Sequence, residues 1–273
     1  MIRGARVAVT AAAGLLLLLL GLPVLSLLLR VPSGSLLRRL SDPVIQDALR
    51  LSLVTSLLAT ACVVLLGTPV AYLLATRFFR GKPVVETVID LPIVLPPTVA
   101  GLALLLAFGR AGLAGKALGA FGITLPFTTA AVVIAQVFMS LPFFVSSARA
   151  GFARVPRSLL DAASTLRASE TYTFFRVVLP LSTPSLIAGA SMACARALGE
   201  FGATITFAGN LPGITQTMPL AVYVAFQTDL EVAIALSVIL MLLSFLLLLG
   251  LRAPAGLAER RPTAPRFVST VSR

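Results

Sequence analysis

The sequence predicts an all-α polytopic membrane protein with six crossing helices, and three observations carry that prediction. Of its 273 residues, 58% are hydrophobic and only 12% are charged, with a mean hydropathy of +1.01. A water-soluble domain cannot hide that much apolar surface, so the surrounding solvent is a bilayer. The apolar residues gather in six runs, each long enough at about 1.5 Å per residue to cross about 30 Å of hydrocarbon. The cations, finally, fall unequally on the two sets of alternate connections, which is how topology is encoded. The same composition removes other classes. A net charge of +12 would suggest nucleic acid as the partner of a soluble chain, but here it concerns sidedness. Histidine is absent, and the two cysteines, Cys62 and Cys194, lie in apolar runs. They read as small core residues, so neither a disulfide framework nor a metal site is expected.

The runs fall near residues 7–29, 49–76, 85–108, 128–148, 182–208 and 230–251. The first follows Arg3 and Arg6 as a signal peptide would, yet it is too long and no small-residue cleavage site follows, so it is expected to be a retained helix. The second ends in a basic connection with Arg77, Arg80 and Lys82. The third contains Pro92, Pro96 and Pro97, each without an amide hydrogen and each leaving a carbonyl without its helical partner. At membrane depth such carbonyls are tolerated only against protein or a water-lined cavity. The expectation is a bent helix lining a path, with Pro96 and Pro97 near a gate; a packed kink lining nothing is the alternative. In the fourth run Ser140 is placed to repair backbone bonding around Pro142. The fifth holds Arg196 and Glu200, four apart on one helix face in an apolar setting, where charges pair and turn inward. The pair either holds helices in register or lines the path. Thr204 and Asn210, further along the same stretch, complete the candidate path.

With both termini inside the cell, fifteen Lys and Arg lie on the inner side and six on the outer, with Arg196 within a span. That asymmetry predicts the orientation. It puts residues 149–180 in the cytoplasm, along with the basic, disordered tail expected over 252–273. Within 149–180, Pro156 breaks what precedes it. Ser158 is expected to cap a short helix, with Asp161 three residues on reaching back to the cap amide. Leu159, Ala163 and Leu166 share one face, and Ala162 and Ala163 keep the helix thin enough for close approach. This is a docking helix, or else a solvated loop helix in which Asp161 only caps.

Asp161-Ala162-Ala163, closing on Leu179-Pro180, resembles the cytoplasmic coupling loop of ABC importer permeases, which reads Glu-Ala-Ala-x-x-x-Gly and ends in Leu-Pro. Asp161 keeps the charge of the usual Glu. Arg167 stands where that family has Gly. If the Gly takes a left-handed turn, Arg there costs about 1–2 kcal/mol, so either the helix runs on through Arg167 or a neighbour supplies the turn. Residues 91–112 resemble the third helix of the oxyanion branch, which carries sulfate and molybdate. Residues 195–223 are similar to the molybdate version of the fifth helix and the loop after it, and Gly199, Gly202 and Gly209 there permit close helix packing.

The resemblance implies the type I ABC importer permease fold, with a cytoplasmic coupling helix between helices 4 and 5. It implies that Ser158, Leu159, Asp161, Ala162, Ala163, Leu166 and Arg167 couple to an ATPase. The partners it implies are a second copy of the chain, two cytoplasmic ATP-binding cassette subunits and a periplasmic or extracellular oxyanion-binding protein, at a bacterial or archaeal cytoplasmic membrane. The cargo it implies is molybdate or tungstate, with sulfate or thiosulfate as the alternative. No Gly-rich Lys-Ser/Thr phosphate loop is present, so ATP and magnesium are expected on the partner and no cofactor on this chain. Residues 209–228 contain no Lys or Arg, so selection of an anion is expected on a separate binding protein. An intramembrane enzyme is disfavoured: there is no His, no pair of Asp in separate spans, and both lysines lie in loops. A gradient-driven transporter would be expected to carry more buried acids than Glu200 alone.

Overall fold

The computed structural model describes residues 2–31 and 41–259, and every element within them is helical. Helix α1 spans Ile2–Leu29 and α2 Pro43–Thr76. The latter starts six residues before the predicted run because Asp42 accepts from the Val44 amide at 2.9 Å and Pro43 opens the first turn, both N-terminal signals. Next come α3 (Lys82–Val94), α4 (Pro97–Phe108), α5 (Gly115–Ala120) and α6 (Thr129–Ala153). Helix α7 is Arg157–Thr165. Helix α8 runs over Glu170–Leu198 with a π turn at Phe174–Val178. Helices α9 (Gly202–Phe207), α10 (Met218–Thr228) and α11 (Leu230–Glu259) complete the chain. Among the described residues five helices are long and apolar enough to cross a membrane, or six if the bent α3–α4 pair is one span.

Three helices make the centre. Gly67 of α2 lies so close to α6 that a Cβ would stand 2.7 Å from the Phe144 ring, and at Gly151 of α6 one would stand 2.5 Å from Ser185 of α8. Val63, Ala71, Leu74, Phe144, Ala148 and Phe152 fill the seam, and the Ser147 hydroxyl donates to the Ser185 carbonyl at 2.8 Å. Small residues thus bring backbones together where no hydrophobic effect separates helix from lipid. Helix α1 contributes little: its described residues are almost all exposed on the isolated chain, and its main helical neighbour among the described residues is α11.

The prolines act more sharply than a kink. The run 85–108, expected as one bent helix, is α3 and α4 with axes bent by 118°. A residue before proline is driven to extended geometry, and here two follow in sequence: Leu95 has ψ 133° and Pro96 ψ 133°. Two consecutive extended residues redirect the chain, and Pro97 then opens α4. The pair still joins the two ends of α6. Glu86 of α3 meets Arg149 near the C-terminus of α6, while Leu104 of α4 packs with Ala131 and Val132 near its N-terminus.

Further expectations change. The run 182–208 is not one helix: α8 begins at Glu170 and stops at Leu198, and α9 resumes at Gly202. The 149–180 segment is therefore mostly helix, with α6 ending at Ala153 and α8 starting at Glu170. Ser140 does not repair the Pro142 gap, since its hydroxyl donates to the Gln136 carbonyl at 2.6 Å, two residues before the Phe138 carbonyl that Pro142 frees. Of the predicted tail, residues 252–259 continue α11, and 260–273 lie outside the described residues.

Candidate functional sites: an apolar groove and a double helix break

Helix α7 starts differently from its prediction. Its N-cap is Pro156, extended at φ −60° and ψ 128°, with no side-chain capping bond. Ser158 therefore lies inside the first turn and does not cap. The fixed φ of Pro156 suits the boundary, and its carbonyl accepts from the Leu159 amide at 3.1 Å. Asp161 sits mid-helix, exposed, and its backbone carbonyl accepts from the Ser164 and Thr165 hydroxyls.

The end of α7 answers the question posed by Arg167. The helix does not continue, and no neighbour substitutes: Arg167 itself adopts the left-handed conformation, φ 55°. The Ala168 amide donates to the Ala163 carbonyl at 3.0 Å and the Arg167 amide to the Ser164 carbonyl at 2.9 Å. That is the paired bonding of a Schellman cap, with arginine at the position glycine usually takes. The strain of about 1–2 kcal/mol is met by two backbone bonds and by the contact the cap creates. Ala163 and Ala168 line one groove with Leu159, Ala162, Leu166 and Tyr172, a cleft of about 610 Å³. Leu166 is 82% exposed, whereas Leu160 packs inward against the main core. Helix α7 therefore holds the bundle with Leu160 and offers the opposite face outward.

Two ion pairs tie this end together. Arg77, which ends α2, meets both carboxylate oxygens of Glu170 at 3.0 and 3.1 Å. Arg149 of α6 meets Glu86 of α3 at 2.6 Å. The first is well exposed and contributes about 0–1 kcal/mol; its significance is that it links the start of α8, just after the groove, to α2.

At the depth of the 118° break the fifth run is also interrupted. Gly202 touches Pro97, with a would-be Cβ 2.6 Å from the proline ring, and at Gly101 a Cβ would stand 2.7 Å from the Ala203 carbonyl oxygen. Helices α4 and α9 thus touch backbone to backbone, next to both interruptions. Glu200 stands in the gap between α8 and α9, 1% exposed, and does two things. One carboxylate oxygen accepts from the Ala203 amide at 2.8 Å, capping α9, and the other is 2.5 Å from the Arg196 guanidinium. Arg196 keeps 25% exposure, so the pair reaches from the interior to the surface of the chain.

Residues 65–253 match the family described as the binding-protein-dependent transport system inner membrane component. The chain belongs to this family of permeases. As a member, the permease is a multi-pass transport subunit and not an enzyme. It is 42% identical to the molybdenum transport system permease protein ModB of Mycobacterium tuberculosis, over 88% of this chain and 91% of the relative. To the protein of that name from Escherichia coli K12 it is 44% identical, over 69% and 82%. In fold it is similar to a bacterial ABC transporter involved in the import of the acidic polysaccharide alginate, with a TM-score of 0.74 over 95% of this chain and 96% of that one at 13% identity. The permease therefore has the type I importer fold.

Against that fold, the sequence-derived candidates sort into groups. Leu159, Ala162, Ala163 and Leu166 share the groove; Asp161 and Arg167 are exposed beside it. Pro97, Arg196 and Glu200 belong to the double break, and Pro96 is one of its two extended hinge residues. Thr204 is wholly buried on α9, its hydroxyl without a protein partner. Asn210 lies apart, half-buried in the loop before α10. Of the three glycines singled out, Gly202 makes the close approach and Gly209 supplies a positive φ of 73°; Gly199 has room for a side chain. Gly101, Tyr172, Ala168 and the two ion pairs were not anticipated. Gly101 and the ion pairs meet partners far away in sequence, which no local pattern announces, whereas Ala168 and Tyr172 join the groove just beyond the end of α7.

Proposed function

We propose that this permease forms the membrane path of an ATP-driven importer for an oxyanion, molybdate or tungstate first. Two copies assemble side by side, each presenting its α7 groove to a cytoplasmic ATP-binding cassette subunit that binds the nucleotide and magnesium. A soluble oxyanion-binding protein delivers cargo at the opposite end. Both termini are cytoplasmic in this reading, as the excess of cations on one side supports. The observation that carries it is the exposed apolar groove of α7, anchored by Leu160 and linked by Arg77–Glu170 to α2. A helix that packs Leu160 against the bundle and displays Leu159 and Leu166 is built to be covered by another protein. The names of the relatives favour molybdenum as cargo.

In this mechanism the ATPase pair closes on ATP and displaces α7. The displacement passes into α8 through the π turn and into α2 through Arg77–Glu170. The path follows the double break, with Pro96, Pro97, Arg196, Glu200, Thr204 and Asn210 as its candidate elements. Arg196 offers an anion a passing attraction, while Glu200 keeps that attraction weak enough for release.

The test is reconstitution in proteoliposomes with the ATPase subunits and the binding protein, comparing molybdate, tungstate and sulfate. Uptake and ATPase stimulation should follow molybdate or tungstate, and replacing Asp161 and Leu166 by Arg and Asp should uncouple hydrolysis from uptake. Undiminished coupled uptake by that variant would remove the docking role. Uptake that follows sulfate would move the permease to the sulfate/thiosulfate reading.

A further inference from the structure

A long apolar groove of about 710 Å³ runs between α2 and the π turn of α8. Both of its walls follow from local structure. On α2 it is lined from Val64 to Arg77, about 20 Å of helix. The two threonines on this wall satisfy their hydroxyls within the helix. Thr68 donates to the Val64 carbonyl at 2.5 Å and Thr76 to the Tyr72 carbonyl at 2.8 Å, so neither adds an open donor. On α8 the wall is made by the π turn, in which the Leu179 amide donates to the Phe174 carbonyl five residues back. That wide turn brings Phe174, Phe175 and Leu179 to one side of the groove. Tyr72 fixes the junction of the walls, with its ring 4.8 Å from Phe174 and 5.6 Å from Phe152, both edge-on. Leu65 is 74% and Phe175 59% exposed, so the groove lies open on the isolated chain.

The groove changes character at one end. Arg77 lines it there, and Arg80 and Lys82 follow in the short connection to α3. Arg77 meets Glu170 through Nη2 alone, which leaves the donors on Nη1 and Nε without a partner among the described residues. Glu86, the acid nearest in sequence, already holds Arg149. Among the described residues Arg80 and Lys82 therefore have no acidic partner. Lys82 instead lies 5.0 Å from the centre of the Phe78 ring, and that ring is exposed. Aromatic and basic side chains together at the end of a spanning helix mark the bilayer interface.

We propose that this groove binds one anionic phospholipid of the cytoplasmic leaflet. An acyl chain lies along Val64–Tyr72 and Phe175, and the phosphate sits at Arg77, Arg80 and Lys82. The choice of leaflet rests on the importer reading above; the site rests on the groove. One leaflet of hydrocarbon is about 15 Å deep, half of about 30 Å, so the groove reaches from mid-membrane to the headgroups. An apolar channel that ends in open cations asks for a ligand with hydrocarbon at one end and an anion at the other. Guanidinium donors suit phosphate oxygens, and cations at this level favour anionic over zwitterionic lipid.

The chain contains no tryptophan, so one inserted indole reads one place. L73W, on the groove wall, is followed in phosphatidylcholine nanodiscs that hold the full chain, with brominated phosphatidylglycerol or brominated phosphatidylcholine as quencher. Phosphatidylglycerol should be preferred about fivefold or more, and added salt should shrink the preference. At L17W, on exposed α1, the two lipids should quench alike. In the L73W background R77Q/R80Q/K82Q should abolish the preference, and T68F, which fills the groove without changing charge, should lower it. Circular dichroism and gel filtration check that each variant folds, and the L73W titration decides the matter even if both further variants fail. Equal quenching of L73W by the two lipids would overturn the proposal, because the groove would then hold ordinary boundary lipid. A preference that survives the triple charge variant would do the same. So would absence of quenching by either lipid, which would mean that a second copy covers the groove, or loss of the preference to inorganic phosphate at matched ionic strength. None of these outcomes involves cargo or ATP, so each leaves the importer reading to its own uptake test.

Discussion

The groove on α7 and the double break at Pro96–Pro97 and Glu200 are both interruptions of helix, yet they are held in opposite ways. The groove is local. Its helix starts at a proline, ends in a cap spanning Ala163–Ala168, and packs a single leucine against the core. The break is tertiary. Its two halves lie far apart in sequence, and Gly101 and Gly202 let α4 and α9 touch there. An exposed apolar groove held by one packed residue can be bare and cheap to alter. A break at membrane depth must satisfy every freed polar group within the protein, so it tolerates little.

That contrast can be broken or sharpened by stability measurements on the detergent-solubilised chain. The largest effect is expected at Glu200. E200A strips Arg196 of its counter-charge and α9 of its cap, and should cost about 2–4 kcal/mol, read as a lowered melting temperature. R196M/E200L should be less destabilised than E200A, because the remaining partner is no longer an orphan charge; an additive loss would show that the two residues act separately. Next comes Gly101→Val, which drives a side chain into the Ala203 carbonyl and should cost about 1–3 kcal/mol. Gly21→Ala on exposed α1, where nothing lies within 4 Å, should change stability by less than about 1 kcal/mol. Equal effects of the two glycine changes would refute the close-contact account of α4 and α9.

In the groove the expected numbers are small. R167G removes the left-handed strain but frees the unfolded chain, for a net gain of about 0.5–1 kcal/mol, with coupled uptake retained. L166A should alter the melting temperature of the isolated chain by an amount equivalent to less than about 0.5 kcal/mol, since Leu166 is 82% exposed. Its effect should instead appear as loss of uptake per ATP hydrolysed once the ATPase is present. A large loss of stability in the isolated chain would mean that Leu166 belongs to the bundle rather than to a partner.

Much of the groove was legible because its information is close together in the chain. Pro156 announces the boundary, and the spacing of Leu159, Ala163 and Leu166 gives the face. The cap was misplaced onto Ser158, since a serine followed by an acid three residues on is a common start signal and only the backbone reveals that Pro156 itself stands at the N-cap. At Arg167 the sequence posed the right problem without its answer: an arginine in a left-handed turn is uncommon, and only the two amide bonds at Ala168 and Arg167 identify it.

The break was legible only in pieces. Pro96-Pro97 and Arg196–Glu200 stand out in apolar text, and an i, i+4 charge pair is a local fact. Nothing local says that Pro97 rests on Gly202, that Gly101 meets Ala203, or that Glu200 caps a helix of its own.

By itself, then, the amino-acid order determined that the chain lives in a bilayer, where its apolar rods lie, and that one short amphipathic helix stands between the fourth and fifth of them. These depend on periodicity and hydropathy, which neighbours in sequence already express. The tertiary structure decided how sharply the rods are interrupted, which glycines are indispensable, and how two distant gaps meet around one carboxylate. Those outcomes depend on contact between surfaces far apart along the chain, and a backbone that comes to rest against another backbone leaves no trace in the local text of either.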